Sequence, residues 1–288
     1  MPELPEVQAL AHDLARRLDG RAINRIDLTH FAALKTFDPP IFSLNGQFVS
    51  GVGRHGKFLD IDVSGTHLIL HLARAGWVRW RDEAPAAPAR PNPKNPLAAR
   101  IVLDDDSGLD ITEMGTKKSL AMYVVNDPRD VEGIARLGPD PLAEEFTSES
   151  LREILTAAGR AQIKGVLRHQ GTIAGIGNAY SDEILHAARM SPFKPASSLD
   201  DIDLDVLYTA IRTTLGEAIA RNEGLAASEL KGEKKSNMAV HGRTGQPCPV
   251  CGDTVREVSF ADSALQYCAT CQTGGKPLAD RRMSRLLK

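Results

Sequence analysis

The chain has 288 residues, of which 42% are hydrophobic and 25% charged, a composition typical of a globular protein with about two domains and a small third module. No stretch approaches the ~18 uncharged apolar residues of a membrane helix and no secretory signal opens the sequence, so a membrane protein is excluded and a cytoplasmic location, nucleoid-associated in a bacterium, is expected. The net charge of −2 argues weakly against a nucleic-acid partner, but from Lys231 to Lys288 ten Lys and Arg accompany five Asp and Glu, so this end is basic.

The first part of the chain predicts one helix followed by strands. Apolar residues at helical spacing from Val7 to Leu18, with Gly20 as C-cap, predict an amphipathic helix. Prolines cannot donate to a sheet, so the five in Pro85–Pro96 predict a surface loop. Short alternating or apolar runs predict strands of a sheet pair or sandwich over Ile23–Leu28, Phe58–Val63, His67–Leu72, Gly76–Trp80, Ile101–Leu103 and Met122–Val125.

From Leu137 the pattern changes to helical spacing, which marks a second domain. The polar segment Asn222–Met238 predicts a mobile loop that leads to four cysteines. We therefore expect an α+β multi-domain chain with domains over residues 1–135, 136–240 and 241–288. The predicted helices are Ser148–Ala158, Ala161–Arg168, Ala179–Met190 and Leu204–Arg221.

The cysteines form two C-x2-C pairs separated by sixteen residues: Cys248, Cys251, Cys268 and Cys271. This duplicated spacing is typical of a tetrahedral zinc site, and four protein ligands leave no open coordination position. We therefore predict one structural zinc ion, with a hairpin strand over Val255–Phe260 between the pairs. A redox dithiol pair and buried free cysteines are the alternatives.

The N-terminus, MPELPEV, offers a second chemical feature. Removal of Met1 is expected before a small residue and leaves Pro2 with a secondary amine of pKa about 8, so a neutral fraction exists at pH 7. Such an amine attacks carbonyl-like carbons and can open a deoxyribose at C1′ to leave an imine. Glu3 and Glu6 place two carboxylates close by for proton transfer or orientation. The alternative is a proline-rich helix start with favourably placed acids.

Two further segments predict contacts with phosphate. Gly175 and Gly177 permit a tight turn before a helix that Asn178 caps, and helix N-termini bind phosphate, so Asn178 and Lys164 are candidates to hold a nucleic-acid strand. Lys57, in RHGKFL before a strand, is another candidate. Such turns are also common without a ligand, and a lone lysine there is often merely exposed.

The motifs MPELPEV, RHGKFL, LGPDPL, IKGVLRHQGTIAGIGNAYSDEIL, HGRTGQPCPVCG and CATCQ, in this order, cover nearly the whole chain. Together they resemble the formamidopyrimidine-DNA glycosylase and endonuclease VIII family. The resemblance implies an N-terminal β-sandwich, a central helix-two-turn-helix domain and a C-terminal four-cysteine zinc finger, with DNA between the lobes. It also implies a base-excision-repair glycosylase with abasic-site lyase activity, which removes oxidatively damaged bases from double-stranded DNA.

The resemblance assigns a role to each matching residue. It implies that Pro2 is the Schiff-base nucleophile, Glu3 the general acid, Glu6 a supporting carboxylate and Lys57 a phosphate contact involved in β-elimination. Lys164 and Asn178 match positions that hold backbone phosphates. The damaged nucleotide would be flipped out of the duplex, and a wedge would fill the gap. A monomer is expected.

Three departures from the family pattern concern the wedge and the second elimination. Arg74 stands where the family usually places a void-filling methionine, and MGTKKSLA stands in place of the Arg-x-Phe wedge loop, so Arg74, Lys117 and Lys118 become candidate DNA contacts. Ser263 replaces the arginine that assists δ-elimination, which leaves that step open. The segment Asn222–Met238 is shorter than the lesion-capping loop associated with 8-oxoguanine enzymes.

Two other functions compete with an active glycosylase. One is a DNA damage-binding protein, or an abasic-site lyase, that lacks 8-oxoguanine excision. The other is a zinc-ribbon interaction module fused to an unrelated sandwich. The sequence does not determine the preferred damaged base or the base opposite to it.

Overall fold

The computed structural model describes residues 1–92, 95–260 and 263–279. Two compact units divide the chain: unit 1 contains Met1–Leu137 and Asn222–Leu230, and unit 2 contains Gly138–Arg221 and Lys231–Lys288. The domain boundaries expected from the sequence stay predictions. Parts of the expected proline-rich loop and of the basic C-terminal end lie outside the described residues. Among the residues described, no helix has the length and apolar character needed to cross a membrane.

Unit 1 contains two α-helices and two antiparallel sheets of four strands each. The elements are α1 (Leu4–Leu18), β1 (Ile23–Leu28), β2 (Val49–His55), β3 (Phe58–Val63), β4 (Thr66–His71), β5 (Gly76–Arg81), β6 (Leu97–Leu103), β7 (Gly108–Glu113), β8 (Ala121–Val125) and α2 (Glu132–Ala135). One sheet has the strand order β2-β3-β4-β8 and the other β1-β6-β7-β5. Apolar side chains of α1 and of both sheets form one buried core, as expected for a sandwich.

Two of these strands, β2 and β7, were not predicted from the sequence. All six residues of β7 are buried although several are polar. Asp110 accepts two hydrogen bonds from Arg100, at 2.6 and 3.0 Å, and one from Arg81 at 2.9 Å. Because these guanidinium groups compensate the buried carboxylate, a polar sequence occupies a central strand. In β2 two glycines weaken the strand pattern.

Unit 2 has a large core between its helices and two smaller apolar clusters around a hairpin near the cysteines. Its first predicted helix, Ser148–Ala158, has the predicted bounds and is capped by Thr147, whose side chain accepts from the Ser150 amide. The elements are α3 (Ser148–Ala158), α4 (Ile163–Arg168), α5 (Asn178–Ala187), α6 (Asp201–Asn222), α7 (Leu230–Asn237), β9 (Val255–Ser259), β10 (Ala264–Cys268) and α8 (Ala269–Thr273). The last residue of α6 and the first of α7 belong to unit 1.

The segment Asn222–Met238 corrects one expectation. Instead of a mobile loop it contains α7, and Ala227 and Leu230 are buried in the core of unit 1. The indole Nε1 of Trp77 donates to the Ala227 carbonyl oxygen at 2.8 Å. These buried apolar side chains and the hydrogen bond from Trp77 anchor the polar segment against the sandwich.

Candidate functional site

The predicted nucleophile Pro2 and both predicted carboxylates lie at the N-terminal end of α1, where Glu3 is the N-cap and Glu6 belongs to the first turn. Pro2, Glu3 and Glu6 are all buried. Glu3 and Glu6 form a capping box, in which the Glu3 amide donates to Glu6 Oε2 at 2.8 Å. Glu6 therefore fixes the backbone of Glu3, and its supporting role in a reaction stays a prediction. The sequence pattern S/T-x-x-E does not detect this box because glutamate takes the N-cap position.

Lys57 lies in the two-residue turn between β2 and β3, after Gly56, whose φ is +54°. Lys57 is buried, at 8% exposure. Burial and, to a smaller extent, the Lys57 charge lower the pKa of His71. The same strand, β2, is tied to α1 by a hydrogen bond of 2.6 Å from Arg54 Nε to Gln8 Oε1. The hairpin of Lys57 and the helix of Glu3 thus belong to one packed unit.

Arg74 is exposed in the tight turn between β4 and β5. The turn closes through a hydrogen bond from the Gly76 amide to the Leu72 carbonyl oxygen at 2.8 Å. A Cβ on Gly76 would lie 2.2 Å from that oxygen, so only glycine fits there. Ala73 has a φ of +49°, a left-handed conformation that costs free energy for a residue with a Cβ. The backbone therefore presents Arg74 to solvent in a constrained turn.

Lys117 and Lys118 are exposed on the loop that follows β7. Lys118 Nζ donates to the carbonyl oxygen of Glu113. The buried Glu113 side chain anchors the other end of the loop, since its Oε1 accepts from the amides of Ser119 and Leu120 at 2.7 and 2.9 Å. We name residues 114–119 the lysine loop.

Sequence reasoning missed two residues of this region. Glu113 Oε2 is buried and has no hydrogen-bond partner among the described residues. Met114, the first residue of the lysine loop, is 53% exposed. The sequence shows an apolar residue shortly before two lysines. Met114 could be placed in an exposed loop only once strand β7 was recognised.

Lys164 and Asn178, both predicted to hold phosphates, make internal contacts in unit 2. Lys164 Nζ lies 2.6 Å from Asp182 Oδ1 and 2.7 Å from Ser181 Oγ. Asn178 Nδ2 donates to the Ala264 carbonyl oxygen on β10 at 2.7 Å. The structure therefore brings these two residues together at the start of α5, where their polar groups stabilise the unit itself.

Glu183, which follows Asp182 on α5, was also missed by sequence reasoning. Its carboxylate accepts from the backbone amides of Ala239, Val240 and His241 at 2.6–3.0 Å. Burial raises the pKa of Glu183 although these three hydrogen bonds act in the opposite direction. The side chain thus holds the segment that leads to the cysteines against α5.

The four cysteines meet at one point of unit 2. Their sulfur atoms lie within 4.8 Å of one another, with 3.9 Å between Cys248 and Cys271 and 3.3 Å between Cys251 and Cys268. Zn–S bonds of about 2.3 Å in a tetrahedron separate sulfur atoms by a similar distance. The backbone amide of Asp253 lowers the pKa of Cys251, whereas burial raises the pKa of Cys268. The cysteines are therefore positioned to bind one zinc ion, as the spacing predicted.

Three models of known families match consecutive parts of the chain. They describe the N-terminal domain of formamidopyrimidine-DNA glycosylase over residues 1–122, its H2TH domain over 137–229 and a zinc finger found in FPG and IleRS over 245–274. The formamidopyrimidine-DNA glycosylase of Symbiobacterium thermophilum is 32% identical across 98% of this chain and 93% of its own length. The chain belongs to the formamidopyrimidine-DNA glycosylase family. The predicted fold class, with its β-sandwich, helix-two-turn-helix domain and zinc finger, is confirmed.

Solved structures of this family share the fold over nearly the whole chain. The MutM (Fpg) protein of Thermus thermophilus has a TM-score of 0.79 and 30% identity, covering 96% of this chain and all of its own. The Lactococcus lactis Fpg in complex with FAPY-dG-containing DNA has a TM-score of 0.82 and 26% identity, covering 94% of this chain and all of its own.

A shorter relative is more similar in sequence. An uncharacterized formamidopyrimidine-DNA glycosylase-like protein of Mycobacterium tuberculosis is 58% identical over 152 residues, which cover 53% of this chain and 94% of that protein. Over the matched half of this chain the identity is thus higher than the 32% shared with the Symbiobacterium thermophilum enzyme across nearly the whole chain.

Proposed function

We propose that this chain is a base-excision-repair DNA glycosylase with abasic-site lyase activity, which removes oxidatively damaged bases from double-stranded DNA. One observation carries the proposal: the chain matches the family from its first residue and holds Pro2, Glu3 and Glu6 in a buried, capped helix start. Similar solved structures are complexes with DNA that contains FAPY-dG, carbocyclic 8-oxo-G or an abasic site.

The proposed reaction begins once Met1 has been removed. The neutral nitrogen of Pro2 attacks C1′ of the flipped nucleotide, the glycosidic bond breaks, and its electron pair leaves with the base, which gains a proton. The sugar ring opens and an iminium ion joins C1′ to the nitrogen. Loss of a 2′ proton then expels the 3′ phosphate by β-elimination, which cleaves the strand.

The neighbouring side chains divide the remaining tasks. Glu3 is the general acid for the sugar oxygen or the departing base. Glu6 holds the Glu3 backbone through the 2.8 Å hydrogen bond described above and so acts as a positioning residue. Lys57, fixed by the β2–β3 turn, is the proposed phosphate contact during β-elimination.

The proposed DNA contacts fall into two groups, side chains that are exposed and side chains that make internal contacts. Arg74, Lys117 and Lys118 are exposed on two loops of unit 1 and suit contacts with a polyanion. Lys164 and Asn178 support the DNA grip through the start of α5, and direct phosphate contacts by their side chains stay predictions. Zinc, held by the four cysteines, supplies structure rather than a reacting group because no coordination position is open.

Borohydride trapping tests the proposal, because reduction of the imine links enzyme and DNA permanently. The Met1-processed protein and its Pro2→Gly variant would be incubated with duplexes that carry an abasic site, 8-oxoguanine or an oxidised pyrimidine. We expect crosslinks that depend on Pro2. The base-containing duplex that gives them identifies the damaged base.

Two other results point to other functions. If only the abasic duplex crosslinks, the protein is an abasic-site lyase. If the protein binds lesion-bearing DNA but no duplex crosslinks, the catalytic assignment is wrong and a damage-binding protein replaces it. We further propose that the protein acts as a monomer in the cytoplasm, which sedimentation and cell fractionation would test.

A further inference from the structure

His186, near the end of α5, contacts the sulfur of a predicted zinc ligand. Its Nε2 lies 3.2 Å from Cys248 Sγ, within hydrogen-bond distance for sulfur. Both residues are buried, at 5% and 2% exposure, and they are 62 positions apart in the chain. Neither the spacing of the cysteines nor any motif of the sequence points to this histidine.

The chemistry of a four-cysteine site gives this contact a direction. A zinc ion bound by four thiolates carries a net charge of −2, and a ligating thiolate has no proton to donate. The sulfur of Cys248 can then only accept, so Nε2 of the imidazole carries the proton. A buried thiolate is far from water, which makes a protein donor to its sulfur more valuable than at an exposed ligand such as Cys251.

We propose that His186 is a positioning residue of the zinc centre: its Nε2–H donates to the Cys248 thiolate, withdraws charge from the sulfur and slows loss of the metal. Partners that orient and tune metal ligands in this way have large effects on metal affinity. The four cysteines and the hydrogen-bond donor His186 on α5 together form the zinc site.

At two other points α5 also contacts the segments of unit 2 that adjoin the cysteines. Asn178 contacts β10 at the beginning of α5, and Glu183 binds the backbone of residues 239–241 in its middle. His186 adds a third contact of α5, to the sulfur atom of the zinc ligand Cys248. Retention of zinc therefore depends on α5 as well as on the two cysteine pairs, and the start of α5 bears Asn178, which we associate with the DNA grip.

A purely space-filling role for His186 predicts different behaviour from a donor role. Glutamine and methionine have similar length and shape, but only the glutamine side chain donates a hydrogen bond. His186→Gln and His186→Met are therefore matched variants, which differ in the donor and share the loss of the ring.

The experiment uses the zinc-loaded full-length protein and both variants, with a colorimetric chelator that reports the release of zinc. We expect His186→Met to lose zinc about tenfold faster than the wild type or more, and His186→Gln to stay close to the wild-type rate. In cobalt-substituted protein the sulfur-to-metal charge-transfer band should move to longer wavelength in His186→Met, because the thiolate regains charge, and should stay in place in His186→Gln.

Equal zinc release from the two variants, fast or slow, would overturn the proposal and leave His186 as a packing residue. A second measurement needs no variant and so holds even if His186→Met fails to fold. The nitrogen-15 shifts of His186 in the wild-type zinc protein distinguish a protonated Nε2 from an unprotonated one. A proton on Nδ1 alone would contradict the hydrogen bond to sulfur.

Discussion

The ammonium group of Lys164 lies 2.6 Å from the carboxylate of Asp182, and both side chains are buried within unit 2. A second oxygen of this carboxylate contacts His241 Nδ1 at 2.7 Å. A lysine that the sequence presents as a phosphate ligand is thus part of an internal ion pair. A direct phosphate contact would require it to leave that pair, which is costly because Asp182 would lose its compensating charge.

Replacement of Lys164 by methionine separates these two roles. We expect the free energy of unfolding to fall by about 3–5 kcal/mol, since a buried ion pair loses one partner, while the dependence of DNA affinity on salt keeps its slope. Urea denaturation and binding titrations at several salt concentrations measure the two quantities. Lys117→Met, which replaces an exposed lysine, is the matched control. In this variant the slope of log affinity against log salt concentration should fall by about one unit, and the free energy of unfolding should stay nearly constant. A smaller salt dependence of DNA affinity in Lys164→Met would instead show that Lys164 contacts a phosphate.

Glu113 anchors one end of the lysine loop, and we expect its carboxylate to keep the loop ordered. Glu113→Met removes the acceptor for the amides of Ser119 and Leu120, and leaving the amide of the buried Leu120 without a partner costs about 1–3 kcal/mol. We expect faster tryptic cleavage after Lys117 and Lys118 in this variant. Glu113→Gln keeps a carbonyl oxygen and should protect the loop. Cleavage at the same rate in Glu113→Met and the wild type would show that the loop is held by other contacts.

Glu3→Gln tests the proposed general acid without removing the helix cap, because the amide oxygen still accepts a hydrogen bond. We expect excision of a damaged base to slow by about 10²–10⁴-fold. Cleavage at a preformed abasic site should lose less, since no base departs in that reaction. Single-turnover gel assays on both duplexes give the two rates, and equal losses would argue against proton donation to the departing base.

The stability of unit 1 should depend on the protonation of His71. Burial and the Lys57 charge lower the pKa of His71, while in the unfolded chain it titrates near the ordinary value of about 6.5. Below that pH the unfolded chain binds the proton more readily, so the free energy of unfolding falls as the pH drops from about 7 towards the folded pKa. Denaturation at pH 5.5–7.5 would show a shallower slope for His71→Phe, which keeps a ring against Phe58. An unchanged slope would mean that other groups cause the pH dependence.

Local patterns in the sequence were sufficient where neighbours along the chain decide the outcome. The C-x2-C pairs predicted the zinc site, and the bounds predicted for β1, β3 and α3 match the structure. The helix that the apolar spacing predicted from Val7 to Leu18 is present as well, but it begins earlier, at Leu4. These features depend on capping, periodicity and ligand spacing, all of which act over a few residues.

Only the tertiary structure decided which polar groups meet. The strand β7 was missed because its carboxylate is neutralised by arginines from two other strands, and the expected loop after Asn222 is anchored by Trp77, 150 positions from its partner Ala227. Likewise, the sequence showed a lysine and a histidine, but not that Lys164 would pair with Asp182 or His186 with Cys248. Burial in the folded chain removes water from these groups, so each must be satisfied by a partner that the fold, not the local sequence, brings into reach.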